Sequence, residues 1–225
     1  MILLAIDTAA AGCGVAVFQD DSLLLETVYL AGKTHSRHLA DMIDAALKQC
    51  GIFPKAIDVI AVSKGPGTFT GLRIGISTAK GLAMATGAAV IGVSSLSALA
   101  FPFSQSPGPV VPMLDARRGE VYYSVYDTGR HIRMCREPEK VGPPEAVCSI
   151  LPENAWLVGS GAVLYRDFFL AHGPRGIRFA DTDHHVIPVV AVGRLALDPT
   201  CRQMTHDPGS LVPTYIRPSD AQVSG

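Results

Sequence analysis

Apolar positions along the chain change period several times, and the changes mark its elements. Ile2 to Ile6 is a short β-prone apolar run, followed by a turn with Gly12 and Gly14 and a second run from Val15 to Phe18. That is a hairpin pattern, and Leu23 to Leu30 supplies a third strand. Between residues 35 and 50 the period becomes helical. Leu39, Met42, Ile43, Ala46, Leu47 and Cys50 fall on one face, Asp41, Asp44 and Lys48 lie on the other, and Gly51 suits the end. Ile57 to Val62 is continuously apolar, as expected of a strand buried on both faces. A glycine-rich loop then leads into a helix from about Thr70 to Thr86. Ala88 to Val93 reads as another buried strand and Ser95 to Ala100 as another helix. This order predicts an α/β fold, a mixed sheet covered by helices.

Pro102, Pro107, Pro109 and Pro112 form a stiff joint, which places a lobe boundary there: residues 1–104, then residues 105–225. Beyond it the opening pattern returns. Val110 to Leu114 ends in Asp115 and leads through Gly119 to Val121–Tyr126, as Ile2 to Ile6 ends in Asp7 and leads through Gly14 to Val15–Phe18. Two lobes of similar topology are expected. Trp156 to Val158 and Val186 to Val192 read as strand or core segments, and His206 to Gly225 as a packing tail.

Composition narrows the function classes. The 225 residues are 48% apolar and 17% charged, against roughly 25% charged in ordinary soluble domains. Apolar surface is therefore left for a partner. Lys and Arg number 19 and Asp and Glu 20, so nothing marks a basic nucleic-acid domain. The cluster Arg130, His131, Arg133 and Arg136 reads as a solvated face. Cys13, Cys50, Cys135, Cys148 and Cys201 are scattered and odd in number, the mark of reduced thiols and a cytoplasmic protein. The N-terminal run is too short, and has no basic flank, for a signal peptide. The stretch without charge between Lys80 and Asp115 is broken by Gly87, Gly92 and Pro102, so no membrane span is expected.

Four features are candidates for chemistry. Ser63-Lys-Gly65-Pro-Gly67-Thr68-Phe-Thr-Gly71-Leu-Arg-Ile-Gly75 joins a buried strand to a helix. Such a loop either offers backbone N–H groups to an anion or is a tight turn that needs glycine; its spacing is not that of a P-loop. Gly71, Gly75, Ala79 and Ala83 make a stripe of small residues for close helix packing, either within the lobe or against a partner. Asp7 and Asp115 each end a strand before a turn, where a carboxylate either holds magnesium or bonds its own backbone. His35 and His38, and the adjacent His184 and His185, lack a third metal ligand and read as surface residues. No nucleophilic triad or dyad is legible, and no catalytic residue and no metal site is expected.

Several segments together resemble the TsaB family: Ile6-Asp7-Thr8, Gly65 through Gly75, Asp115-Ala-Arg-Arg-Gly-Glu-Val-Tyr122 and Pro213-Thr-Tyr-Ile-Arg217. They stand in the family's order; Thr68 replaces a usual serine and keeps the hydroxyl, and residues 128–205 match only loosely. The resemblance implies an actin-like ATPase fold of two duplicated ribonuclease-H-like lobes. It implies no catalysis by this chain. A larger paralogue, TsaD, carries the metal and transfers threonylcarbamoyl to N6 of adenosine 37 in tRNAs reading codons that start with A. TsaD-like proteins hold metal through H-x-x-x-H, which this sequence lacks. The implied partners are TsaD in a heterodimer, TsaE through the complex, tRNA only through the complex, and a second copy when the chain is alone. The expected partner surface comprises His35, Leu39, Met42, Ile43 and Ala46 of one helix and Gly71, Gly75, Ala79 and Ala83 of the next. No cofactor is expected to bind tightly; weak ADP or ATP with magnesium would involve Asp7, Gly65, Gly67 and Asp115. The rival readings are a phosphotransferase of the same fold and a metallopeptidase.

Overall fold

The structure is a computed structural model that describes residues 1–30, 35–128, 137–181, 185–199 and 207–217, without the side chains of residues 35–37. The side chain of His35, the cluster Arg130, His131, Arg133 and Arg136, and His184, Cys135 and Cys201 lie outside the described residues. The chain forms two compact units, Met1–Ala98 with Ile187–Pro213, and Leu99–Val186 with Thr214–Gly225. The expected division at residue 104 thus stands beside a changeover at 98, and the later segment 187–213 belongs with the first unit.

In the first unit, β1 (Ile2–Asp7), β2 (Cys13–Gln19) and β3 (Ser22–Tyr29) form an antiparallel meander. α1 (His35–Gln49) leads to β4 (Val59–Gly65), and α2 (Phe69–Thr86) leads to β5 (Ala89–Ser94). β4 lies parallel to β1 and β5 parallel to β4, giving the order β3-β2-β1-β4-β5. Alternation in the strands decides which helix goes where. Leu4, Ile6, Val15, Val17, Ile60, Val62 and Val90 share a core with α1 and α2. The opposite face receives α7 (Val189–Leu197), whose Val189 meets Gly14 and whose Gly193 meets the Phe18 ring. Covered on both faces, the central strands read as unbroken apolar runs.

The second unit repeats this plan. After α3 (Ser95–Ala100), β6 (Val110–Asp115), β7 (Val121–Tyr123) and β8 (Lys140–Gly142) form an antiparallel meander. α4 (Pro144–Cys148) leads to β9 (Trp156–Val158), and α5 (Ser160–Leu164) and α6 (Arg166–His172) lead to β10 (Arg178–Phe179). β9 lies parallel to β6 and β10 parallel to β9, so β8-β7-β6-β9-β10 matches β3-β2-β1-β4-β5 strand for strand. This is the actin-like ATPase fold of two duplicated ribonuclease-H-like lobes, as its order and pairing directions require. Val186 to Val192, expected as strand or core, is core and not strand: Ile187, Val189, Ala191 and Val192 are buried, and α7 begins at Val189. Its run of Val, Ala, Leu and Gly is buried almost all round, so no helical stripe betrays it. Among the described residues, no helix is long and apolar enough to cross a membrane.

The small-residue stripe of α2 packs inside its own unit. A Cβ on Gly71 would press into the Thr8 carbonyl oxygen, and one on Gly75 into the Thr8 hydroxyl. Ala79 and Ala83 are buried with Ile43, Ala46 and Leu47 of α1. Gly81, on the outer side of the same helix, has nothing within 4 Å of its Cβ position. Gly71→Ala should therefore cost about 2–3 kcal/mol, because the atom in the way is backbone. Gly81→Ala should gain about 0.5–1 kcal/mol by helix propensity. Denaturant unfolding of the two variants checks the opposite signs; equal shifts would contradict the seam.

Candidate functional site

The glycine segment sits where β4 passes into α2. Gly65 ends the strand with φ 120°, a backbone angle that side chains rarely adopt. Thr68 caps the helix, its hydroxyl accepting the Gly71 N–H at 3.2 Å. The Thr68 N–H donates to the Ala9 carbonyl at 2.7 Å, and the Thr8 hydroxyl donates to the Gly71 carbonyl at 2.7 Å. A Cβ on Gly67 would run into the Ala9 carbonyl. The segment is thus closed against the β1–β2 turn, and these N–H groups are spent within the chain.

Asp7 lies behind this seam, 2% exposed. Its carboxylate accepts the Ala9 N–H at 3.3 Å, a turn bond to its own backbone. The Ser63 hydroxyl lies toward the carboxyl without well-formed hydrogen-bond geometry. Desolvation prevails over both and pushes the Asp7 pKa up to about 6. Buried Cys13 is pushed up to about 11, first by desolvation and then by the Asp7 charge, so its thiol stays protonated and unreactive. Cys13, Cys50 and Cys148 are free thiols. Asp115, the counterpart of Asp7 in the second unit, accepts the Arg117 N–H at 2.8 Å and pairs with its guanidinium at 3.1 Å. Each aspartate therefore makes the local turn bond that its position in sequence allowed. Among the described residues, no group of three or more His, Cys, Asp or Glu side chains is placed to hold a metal.

The residues expected to meet a partner divide by exposure. Leu39, Ile43, Ala46, Gly71, Gly75, Ala79 and Ala83 are buried in the first unit, because that face of both helices is needed to cover the sheet. They form the floor beneath a surface, not the surface. Met42 is half-buried and lines an open groove of about 610 Å³ between β3 and α1, with Leu25, Tyr29, His38, Asp41 and Ala45. The ring of His38 lies 4.7 Å from that of Tyr29. The outer face of α2 carries Arg73, Ser77, Gly81 and Met84 exposed, with Ile74, Thr78 and Leu82 half-buried beside them. Arg73 stacks 3.6 Å over the Phe69 ring. Sequence periodicity named the buried face of each helix; the outer residues were its complement.

Comparison with known proteins gives consistent matches. A family model described as "TsaD: tRNA N6-adenosine threonylcarbamoyltransferase" matches residues 29–150. The Haemophilus influenzae protein named "tRNA threonylcarbamoyladenosine biosynthesis protein TsaB" is 33% identical over 181 residues, 75% of each chain. The Escherichia coli protein of that name is 37% identical over 167 residues, 72% of each. The Bacillus subtilis protein of that name is 37% identical over 126 residues; the match spans 56% of this chain and about half, 55%, of that relative. The solved structure of YeaZ from Pseudomonas aeruginosa has a TM-score of 0.78 at 28% identity, covering 95% of this chain and 99% of that one.

Burial of Asp7 makes a pH-dependent prediction. Its folded pKa lies above its unfolded value of 3.8. The protonated form is thus favoured in the fold, and stability is lost as pH rises from about 4 to about 6. The loss is on the order of 3 kcal/mol and persists above pH 6. Asp7→Asn should stabilise the chain relative to the parent at pH 7.5 but little at pH 4, as read by thermal unfolding at both values. A variant that is no more stable at pH 7.5 would mean the carboxylate is better solvated than its surroundings imply.

Proposed function

This chain belongs to the TsaB family, and from that premise we propose that it is the non-catalytic partner of a TsaD-type threonylcarbamoyl transferase. It takes part in tRNA threonylcarbamoyladenosine biosynthesis, as its relatives' names state of them. Its own role is to bind and support the subunit that does the chemistry on N6 of adenosine 37.

One observation carries the reading. The glycine segment that would cradle phosphates in a working nucleotide site is closed by its own lobe, with the N–H of Thr68 given to Ala9 and that of Gly71 given to Thr68. Glycine is there for close approach, and the outer faces of α1 and α2 are left for protein contact. Beside the charged Asp41, Asp44, Lys48 and Arg73, their surface carries small or apolar side chains: Ala45 and Met42 on one helix, Ser77, Gly81, Leu82 and Met84 on the other. Small and apolar positions ringed by charged ones suit a contact with an apolar centre and a polar rim. A TsaE-type ATPase and tRNA would join through the resulting heterodimer, and the same faces would serve self-association when the chain is alone.

The exposed positions allow a test that leaves the core intact. Ser77→Arg and Ala45→Arg each place a long cation on the outer face. An unpaired charge buried in the contact should weaken binding to the TsaD-type partner about tenfold or more. Circular dichroism should show both variants folded as the parent, and titration calorimetry should show the loss. Two folded variants that bind as tightly as the parent would place the interface elsewhere.

A further inference from the structure

β3 is the outermost strand of the first sheet, and its far edge has no strand beside it among the described residues. The strand bulges at Leu24 and then pairs regularly with β2 from Leu25 to Tyr29. Main-chain N–H and C=O groups alternate between the two edges of a strand, so every second residue offers a donor and an acceptor outward. Exposed edges are usually blunted by proline, lysine or several charges. Here the strand reads Ser-Leu-Leu-Leu-Glu-Thr-Val-Tyr, with Glu26 its one charge. Leu24, Val28 and Tyr29 remain between 40% and 43% exposed.

The groove of about 610 Å³ between β3 and α1 runs along this edge, and all six residues from Leu24 to Tyr29 line it. Successive side chains of a strand point to opposite faces, so a wall made of consecutive residues is made of main chain. On the α1 side, Leu25 packs into the core and Tyr29 lies against His38. Met42 and Ala45 continue that side with apolar surface. A main-chain edge beside apolar side chains is the receiving half of strand addition. It calls for an extended polypeptide, because only another backbone presents donors and acceptors at the same spacing.

Charge narrows the occupant. Glu26 and Asp41 both line the groove, and neither has a hydrogen bond or ion pair among the described residues. No Lys or Arg among the described residues lines it. By alternation Glu26 lies on the face of β3 away from Leu25 and Tyr29, whereas Asp41 belongs to α1, so a carboxylate flanks each face of an added strand. A second copy of this chain fits that pattern badly. Antiparallel pairing of two copies about this edge brings their Glu26 carboxylates opposite or diagonal to each other on one face, and like charges so placed are destabilising.

We propose that the outer edge of β3 receives an extended polypeptide segment as a sixth strand of the first sheet, with apolar side chains on both faces and Lys or Arg beside Glu26 and Asp41. The strand edge supplies this site and the helix faces supply the proposed function, so either stands without the other. Met42 and Ala45 are common to both, and the added strand lies alongside a partner docked on α1.

The probe is the hexapeptide Val-Val-Lys-Lys-Val-Val with both ends blocked, titrated into the full chain and followed by amide NMR and hydrogen exchange. Binding should slow exchange at alternate residues between Leu24 and Tyr29, those whose N–H groups face outward. Glu26→Lys lies at an exposed position and should fold as the parent does by circular dichroism. It should weaken binding about fivefold. Methylating the backbone nitrogens of alternate peptide residues should abolish binding for one set and spare it for the other, since only one edge of the peptide pairs. No binding of the hexapeptide by the parent would overturn the inference. Equal binding by both methylated sets, with β3 amides unprotected, would mean an apolar groove that recognises side chains only and would overturn it as well. Protection of β3 that rises with the concentration of the chain alone, while the peptide fails to bind, would give the edge to a second copy in place of a basic segment.

Discussion

The contact between the start of α2 and the β1–β2 turn is the constraint on which the first unit depends. Thr8 and Ala9 lie where side chains at 67, just before α2, and at 71 and 75 on it would stand, so these positions have to be glycine. Hydrogen bonds cross the gap in both directions, from Thr68 to Ala9 and from Thr8 to Gly71. With the helix this close, Ala79 and Ala83 further along reach the core shared with α1. The same closeness shuts Asp7 away from water and raises its pKa. One steric requirement thus sets the glycine pattern, the helix position and the ionisation of a buried carboxyl.

The two units use the same strand order for different ends. In the first, the turn after the leading aspartate is buried under α2 and its polar groups are satisfied internally. In the second, the equivalent turn projects into solvent, carries two arginines and is tied down by a residue of the C-terminal segment. Duplication supplies a second copy of each turn, and side chains decide whether the copy is packed or presented. This accounts for a chain that keeps the architecture of a nucleotide-dependent fold while its glycine segment serves packing.

Much of this was legible in the sequence, for identifiable reasons. β1, β2, β4 and β5 announce themselves because strands covered on both faces must be apolar throughout, and α1 because one side faces water. The repeat of strand, aspartate, turn and strand at Asp7 and Asp115 foretold the duplicated order. The α7 segment was legible as strand or core but not as a helix, because a helix buried on nearly every side has few polar positions to mark its period and its valines suit a strand equally. The Gly71–Ala83 stripe told of close packing but not of its partner, since a small residue carries no address. The Arg217–Glu120 pair joins segments far apart in sequence, and neither residue type signals the other.

The central claim is that the outer faces of α1 and α2 are the working surface of a binding subunit. Hydroxyl-radical footprinting of the chain alone and with a TsaD-type partner tests it residue by residue. Met84, 81% exposed, Phe69, 44% exposed, and half-buried Met42 and Leu82 should lose reactivity in the complex. Leu164 and Leu170 of the second unit, 56% and 58% exposed, should keep theirs. Protection of Leu164 and Leu170 with Met42, Leu82 and Met84 unchanged would contradict the account.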